Sequence, residues 1–522
     1  MSRQVVIVGA GSAGGVLAAR LSEDPDVSVL LLEAGPDYPS VEEMPEDIRS
    51  AWTFGGMDHD WGYESAGVVA TSATEPRFGI ETPGVVPVPR GKVVGGSSAV
   101  NGSNAMRAYR SDFDRWVGLG NDDWSWDAVV PYFRRAEDDA AGGDWHGTGG
   151  PVPIRRFTGE SLRPVMRAFL DGCAQAGHEI VEDLNAPGVV GAGSLPVNQV
   201  DGVRQSTAIA YLAPARRRPN LEIRAGVTVD RVELIDGRAR AIVLTSGERI
   251  DADVIVLAAG AIGSPTILQR SGIGPAGQLE RLGIAPVHHL EGVGRNLRDH
   301  PMLYPTWTTD TDAVGALTPP LQAFLACSAS GAHVQDQIDL NFVPFTLQPG
   351  AILVGMGLVR PYSIGHLELA AADPDVAPRI FLNLFDHPED LQRMVTGVKI
   401  IRSIVGSAAM QRYVGDELWP GPEVTSDAAI AAAILGTPTT YAHVVGTCAM
   451  GQAGADWAVV DQRGKVHGLE GLHVIDASIM PTIPAVPTNM TTIMIAERCA
   501  DALRASLAAT AVAPAVAAPT IA

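Results

Sequence analysis

Three glycines and one acid near the start of the chain have the types and spacing to hold a dinucleotide. Gly9, Gly11 and Gly14 spell GxGxxG directly after the apolar run Val5–Val8, and a second apolar run, Val27–Leu32, ends in Glu33. Gly9 permits a tight turn, Gly11 lets backbone N–H groups approach a pyrophosphate at a helix amino terminus, and Gly14 lets that helix pack on the strand. Glu33 falls roughly 20 residues further on, where an acid accepts hydrogen bonds from ribose hydroxyls. A second GxGxxG, Gly272–Gly277, follows a helix-like stretch and carries Pro275 inside it, so it is not read as a nucleotide turn. With one dinucleotide site and none for a nicotinamide partner, redox chemistry would exchange electrons with something outside the chain. Cys173, Cys327, Cys448 and Cys499 make no CxxC pair, and histidines such as His288-His289 show no ligand spacing, so no metal site is expected and these histidines read as structural or solvated. Cys448 reads as a small buried residue rather than a redox thiol.

Holding these groups requires a strand, a turn, a helix carrying Val16, Leu17 and Leu21, and a second strand. Further strands are predicted over Glu222–Val229, Arg240–Leu244 and Ala252–Ala258, the first two flanking Asp236-Gly237 as a hairpin turn. Near the carboxyl end a strand at Leu472–Ile475 leads into Asp476-Ala477-Ser478. Pro481, Pro484 and Pro487 then stiffen a loop rather than form a PxxPxxP ligand, and a helix starts at about Thr491 with Ile493, Ala496, Ala500 and Leu503 on its inner face.

The 522 residues, 46% hydrophobic and 19% charged, have the make-up of a soluble globular protein with large cores. A net charge of −21 opposes nucleic acid and anionic lipid as partners. The first apolar run is too short for a membrane span or a signal-peptide core, which together with the sparse cysteines points to the cytoplasm. The uncharged stretch Ser506–Ala522 reads as a loose tail.

Taken together the motifs resemble the glucose–methanol–choline (GMC) family of flavin-dependent alcohol oxidoreductases, in its bacterial choline dehydrogenase-like and hydroxymethylfurfural oxidase-like branch. Pro89–Gly102 looks like the family's first signature and Gly260–Pro265 through Gly272–Pro275 its second. Gly292–Leu297, His443–Cys448 and Asn489–Ile493 are similar to further landmarks. The resemblance implies an α/β fold, α+β overall. A Rossmann-type FAD-binding domain would comprise residues 1–154, 195–305 and 436–522. A discontinuous substrate domain, 155–194 and 306–435, would be built on an antiparallel sheet with flanking helices. It also implies FAD contacts from Gly9, Gly11, Ser12, Ala13, Gly14, Glu33 and Ala34; from Trp61, Arg90, Val94, Gly95, Gly96, Ser97, Asn101, Gly102 and Ser103; and from Val229, Gly260, Asp476, Ala477, Asn489, Met490 and Thr491. Val100 stands where some members carry the histidine that links FAD covalently, so the flavin is expected to be non-covalent.

His443 and Asn489 match the family's catalytic pair. Oxidising an alcohol by hydride transfer needs a base for the hydroxyl proton and a donor for the developing alkoxide, roles that an imidazole near neutral pKa and a side-chain amide fill. The resemblance therefore implies oxidation of a primary alcohol, aromatic, furanic or allylic, to the aldehyde, with O2 or another external acceptor taking the electrons. Tyr441 and Ala442 are expected at the substrate pocket. Many members have an aromatic residue where Ala442 stands, so its loss widens the pocket or changes the access route for oxygen, unless an aromatic side chain from 306–435 covers it. A dehydrogenase using a quinone or carrier protein, a hydroxynitrile lyase with structural FAD, and a non-catalytic flavoprotein remain open, as does the oligomeric state.

Overall fold

The computed structural model describes residues 3–53, 57–69 and 85–512. The two opening apolar runs become neighbouring strands of a five-stranded parallel sheet. In chain order its parts are β1 (Arg3–Val8), helix α1 (Ser12–Leu21), β2 (Val27–Leu32), β3 (Leu221–Arg224), β4 (Val254–Leu257), helix α2 (Gly260–Arg270), β5 (Leu472–Val474) and helix α3 (Asn489–Val512). The spatial order is β5-β4-β1-β2-β3. Val5–Val8 are buried throughout, as a parallel strand covered on both faces requires. Because β2 and β3 extend to one side of β1 while β4 and β5 extend to the other, the order reverses between β1 and β4. The carboxyl ends of the strands open a crevice at such a point.

Two strand boundaries differ from the sequence expectation. Residues 221–224 join the edge of the parallel sheet, whereas the hairpin around Asp236-Gly237 is made by Val229–Ile235 and Arg238–Leu244. The break between them falls at Gly226, whose φ of +71° ends the first strand. At the carboxyl end α3 continues through Val512, so 506–512 are helical rather than loose, with Leu507 packed into the core. Alanine-rich sequence favours helix, and the apolar side chain supplies the anchor. Residues 513–522 lie outside the described residues.

The second large sheet is antiparallel and has eight strands. Gly191–Ser194, Ala323–Cys327, Leu340–Phe345, Ala351–Leu358, Thr306–Thr309 and Val414–Trp419 pair in that order, and Pro301–Leu303 bridges Ala351–Leu358 to Thr439–Thr440. Helices Pro164–Gln175 and Pro388–Val405 flank it. Each large sheet has its own hydrophobic core. Among the described residues no helix is long and apolar enough to cross a membrane.

Candidate active site

The crevice at the carboxyl ends of β1, β4 and β5 is a cavity of about 860 Å3 that runs on to the antiparallel sheet. Its volume lies toward the upper end of the ~300–1,000 Å3 usual for small-molecule sites. Gly9 turns the chain out of β1 with φ +97°, and a Cβ there would lie 2.6 Å from the Ala258 carbonyl oxygen. Gly14 packs α1 on the turn, where a Cβ would come within 1.8 Å of the Gly9 oxygen. Gly11 makes room for Gly96 instead: a Cβ on Gly96 would sit 2.6 Å from the Gly11 Cα. The two glycine loops are also joined by the Gly95 N–H, which donates to the Ala10 carbonyl at 2.8 Å. The Glu33 carboxylate accepts from the Ala10 and Gly35 amides at 2.8 and 2.9 Å, and burial pushes its pKa up.

Most of the expected nucleotide contacts reach this wall. Gly9, Gly11, Ser12, Ala13, Glu33 and Ala34 line it beside Trp61, Arg90, Gly96, Ser97, Asn101 and Gly102, with Val229, Gly260, Asp476, Ala477 and Asn489 along the remaining edge. Gly14, Val94, Gly95, Ser103, Met490 and Thr491 stand behind it; Val94 and Met490 are core residues, and Ser103 takes a left-handed turn. Asp476 is held by Gly260 N–H at 2.8 Å and Ser264 Oγ at 2.5 Å, so it pins the turn from β4 into α2. The rejected motif 272–277 contributes nothing to the wall; Ile273-Gly274, both buried, pair with His288-His289 instead.

At the other end stand His443 and Asn489. Asn489 opens α3, and its Oδ1 accepts from the Ser12 hydroxyl at 2.8 Å, while Nδ2 has no protein partner. His443 follows Ala442, which sits at φ +60°. The Arg90 guanidinium donates to the Ala442 carbonyl, and Ala442 N–H donates to Thr440 Oγ1 at 2.8 Å. The His443 amide donates to Asp299 Oδ1 at 2.8 Å, and Thr440 donates to the other oxygen of Asp299. The kink stacks the Tyr441 ring on His443, centroids 4.2 Å apart and planes at 28°. Tyr441, next to Ala442, places an aromatic ring against the base, and Phe345 of the 306–435 segment lines the same cavity. Tyr304, Phe345, Met302, Leu321 and Leu353 complete this chamber.

His443 does not titrate near neutrality. Burial, then His300 and Arg90, hold it well below the ordinary value, so its resting form is the neutral imidazole. Its Nδ1 lies 3.0 Å from His300 Nδ1. His300 was expected among the structural histidines, but it contacts His443 directly. Sequence spacing could not reveal this, because the two lie 143 residues apart. Asp299 and Thr440 were missed for the same reason, and the only available signal was the polar run Arg298-Asp299-His300 after the Gly292–Leu297 landmark. Cys448 is buried, which pushes its thiol pKa well up and leaves it unreactive.

Away from the cavity, Glu137, Asp139 and His146 bring three possible metal ligands together. Arg107 pairs with Glu137, and Arg156 pairs with Asp139 and Asp183. His146 bridges Asp139 and Asp183 at 3.0 and 2.7 Å. With His146 protonated, three carboxylates meet three cations. A divalent ion would upset that balance, so the cluster reads as structural.

The donor set fits a flavin dinucleotide. It has a helix amino terminus against a glycine turn, a carboxylate at the end of β2, and an unsatisfied amide donor at the chemical end. Comparison with known proteins agrees. The family model described as GMC oxidoreductase matches residues 4–302, and its carboxyl-terminal counterpart matches 361–496. The chain is 36% identical to oxygen-dependent choline dehydrogenase 1 of Chromohalobacter salexigens, covering 96% of this chain and 94% of that one. It is 38% identical to oxygen-dependent choline dehydrogenase of Ectopseudomonas mendocina, covering 96% and 93%. Among solved structures it resembles pyridoxine 4-oxidase from Mesorbium loti, with a TM-score of 0.87, 31% identity, and coverage of 97% and 99%.

Proposed function

The chain belongs to the GMC oxidoreductase family and is an FAD-dependent alcohol oxidoreductase, and from that premise we propose that it oxidises primary alcohols activated by an aromatic, furan or allylic group to their aldehydes, with O2 as electron acceptor. The observation that carries this reading is one chamber holding an imidazole and an unpartnered amide between aromatic and aliphatic walls. Among its described lining residues the carboxylates are Glu33 at the nucleotide turn, Asp476 at the β4–α2 turn and Asp375 at the exposed rim. Arg90 lies beside the base, and no described lining carboxylate stands in the chamber around His443 to pair with a cationic substrate. The acceptor follows the similarity to proteins named as oxygen-dependent or as an oxidase.

In this reading His443 takes the hydroxyl proton and Asn489 Nδ2 donates to the oxygen as it becomes an alkoxide. FAD, when bound, supplies the acceptor for the hydride that leaves the carbinol carbon. Asp299, Thr440 and Arg90 hold the Ala442–His443 backbone, and Ser12 aims the amide. The amino terminus of α3 adds partial positive charge at the same wall. Val100 offers no nucleophile for a covalent flavin link. The four free cysteines suit a cytoplasmic setting.

Anaerobic mixing of the yellow holoenzyme with benzylic, furanic, allylic and aliphatic alcohols and choline, followed by air, tests the proposal. Fast bleaching by the activated alcohols and prompt recovery in air are expected. Bleaching by choline alone would overturn the substrate class, and recovery only with a quinone would overturn the acceptor. Cyanide release without bleaching would select a lyase.

A further inference from the structure

The proline loop and His300 have no part in the chemistry so far, yet they meet beside the base. His300 Nε2 lies 3.1 Å from the carbonyl oxygen of Pro484, and His300 Nδ1 lies 3.0 Å from His443 Nδ1. We propose that Pro484 and His300 set the tautomer of His443: the Pro484 carbonyl fixes the proton of His300 on Nε2, His300 Nδ1 accepts the Nδ1–H of His443, and His443 Nε2 is left bare to face the cavity.

A carbonyl only accepts, so the nitrogen beside Pro484 must carry a proton. Burial pushes His300 down to about 3, against the pull of the Pro484 and Val359 carbonyls, so the ring is neutral and has one N–H. Its Nδ1 is therefore an acceptor, and the nitrogen facing it, Nδ1 of His443, must be the donor. His443 is also held neutral, so its Nε2 has a free lone pair. Among the described residues Nε2 makes no hydrogen bond, and the ring lines the cavity.

The frame is rigid at both ends. Asp299 Oδ1 accepts from the amides of both His300 and His443, at 2.7 and 2.8 Å, so one oxygen spaces the two residues. The rings meet edge to face at 90° with centroids 5.2 Å apart. The loop is pinned around Pro484: the Pro481 carbonyl accepts from Asn296 Nδ2 and the Thr482 carbonyl from Trp116 Nε1, each at 3.1 Å. Proline at 481, 484 and 487 limits the φ values through which the loop could relax. The charged and titratable groups around the His443–His300 pair are Arg90, Asp299 and the ring of Tyr441. His300 is on this account a positioning residue.

The inference rests on the proposed function only for the role of His443 as base, because the tautomer can be measured without turnover. Nitrogen-15 NMR of histidine-labelled holoenzyme near pH 7 should show His443 as neutral Nδ1–H and His300 as neutral Nε2–H. In His300→Ala the His443 signal should shift toward the Nε2–H form. Flavin reduction should then slow by about 10–100-fold in kcat with KM little changed, the usual scale for losing an orienting partner. His300→Asn, whose amide oxygen can accept the same proton, should restore most of both. An Nε2–H tautomer of His443 in the unsubstituted protein overturns the inference, as does an unchanged tautomer and rate in His300→Ala. If His443 proves to be Nδ1–H but His443→Ala turns over normally, the base assignment fails and the tautomer relay stands.

Discussion

The hydroxyl of Ser12 donates to Oδ1 of Asn489 at 2.8 Å, tying the first residue of α1 to the first residue of α3. That bond uses the acceptor end of the carboxamide and leaves Nδ2 as the end available to a ligand. Asn489 is thereby oriented by helices packed on the parallel sheet. His443 hangs from the antiparallel one, just after Thr439–Thr440 pairs with Pro301–Met302. The pair works as a unit only because the cavity joins the two sheets.

Asn489→Ala removes the alkoxide donor and should slow flavin reduction by about 10²–10³-fold. Ser12→Ala removes one orienting hydrogen bond, worth about 1 kcal/mol, and should cost roughly fivefold. Stopped-flow reduction rates of both variants check this. A Ser12→Ala variant as impaired as Asn489→Ala would mean that Ser12 has a role beyond aiming the amide.

His443→Ala should lower the reduction rate by about 10²–10⁴-fold. The pH profile carries a further expectation, because the protonated imidazole cannot accept a proton and its pKa is held well below the ordinary value of 6.5. Reduction should therefore stay fast as pH falls through 6.5, with the acid limb at lower pH. An acid limb centred at or above 6.5 would contradict the buried, neutral base.

The parallel sheet was legible because Val5–Val8 is a continuous apolar run closed by the glycine turn, and Val27–Leu32, apolar but for Ser28, is closed by Glu33. The hairpin was placed correctly at Asp236-Gly237 but its first strand was not. In 229–235 only Val229 and Val232 are buried, three apart where an even strand would repeat every two, because the pairing shifts register within the strand; such a pattern is weaker than an apolar run. His443 and Asn489 were visible only through the resemblance, since neither has a local partner in sequence. The roles of His300, Asp299 and Thr440 could not be read from the sequence because they come from contacts more than 140 residues apart.

Ala442 is one of seven non-glycine residues with positive φ among the described residues, and the only one that borders His443. A left-handed conformation costs an L-residue about 1–2 kcal/mol, here held by the Arg90 and Thr440 contacts. Ala442→Gly should fold with stability equal to or up to about 1 kcal/mol above the parent. Ala442→Val, β-branched at the same φ, should lose about 1–3 kcal/mol and the Tyr441–His443 stacking with it. Denaturant melts rank the variants, and a Val variant as stable as the parent would show that the turn is not strained.

The His146 cluster should make stability depend on pH just above neutrality. Asp139 and then Asp183 raise the His146 pKa above its ordinary 6.5, so the folded protein holds a proton on His146 more tightly than the unfolded chain does. Its contribution is complete below 6.5 and is lost as pH rises through the folded value, each unit of elevation being worth about 1.4 kcal/mol. Asp139 and Asp183 are shifted down, so their contribution is present above the ordinary carboxylate range and fails only in acid. His443, His300 and His473 are held low, and their share is lost as pH falls below 6.5. Neither group acts in the window above 6.5. Denaturant midpoints measured from pH 6 to 8, below the range in which the buried thiols of Cys173, Cys327, Cys448 and Cys499 add a loss of their own, should decline with rising pH, and His146→Gln should flatten that decline while lowering stability at pH 6. Because Arg107, Arg156 and protonated His146 already balance the three carboxylates, EDTA and added zinc should leave the melting temperature unchanged; a rise with zinc would mean that His146 binds a metal ion instead of a proton.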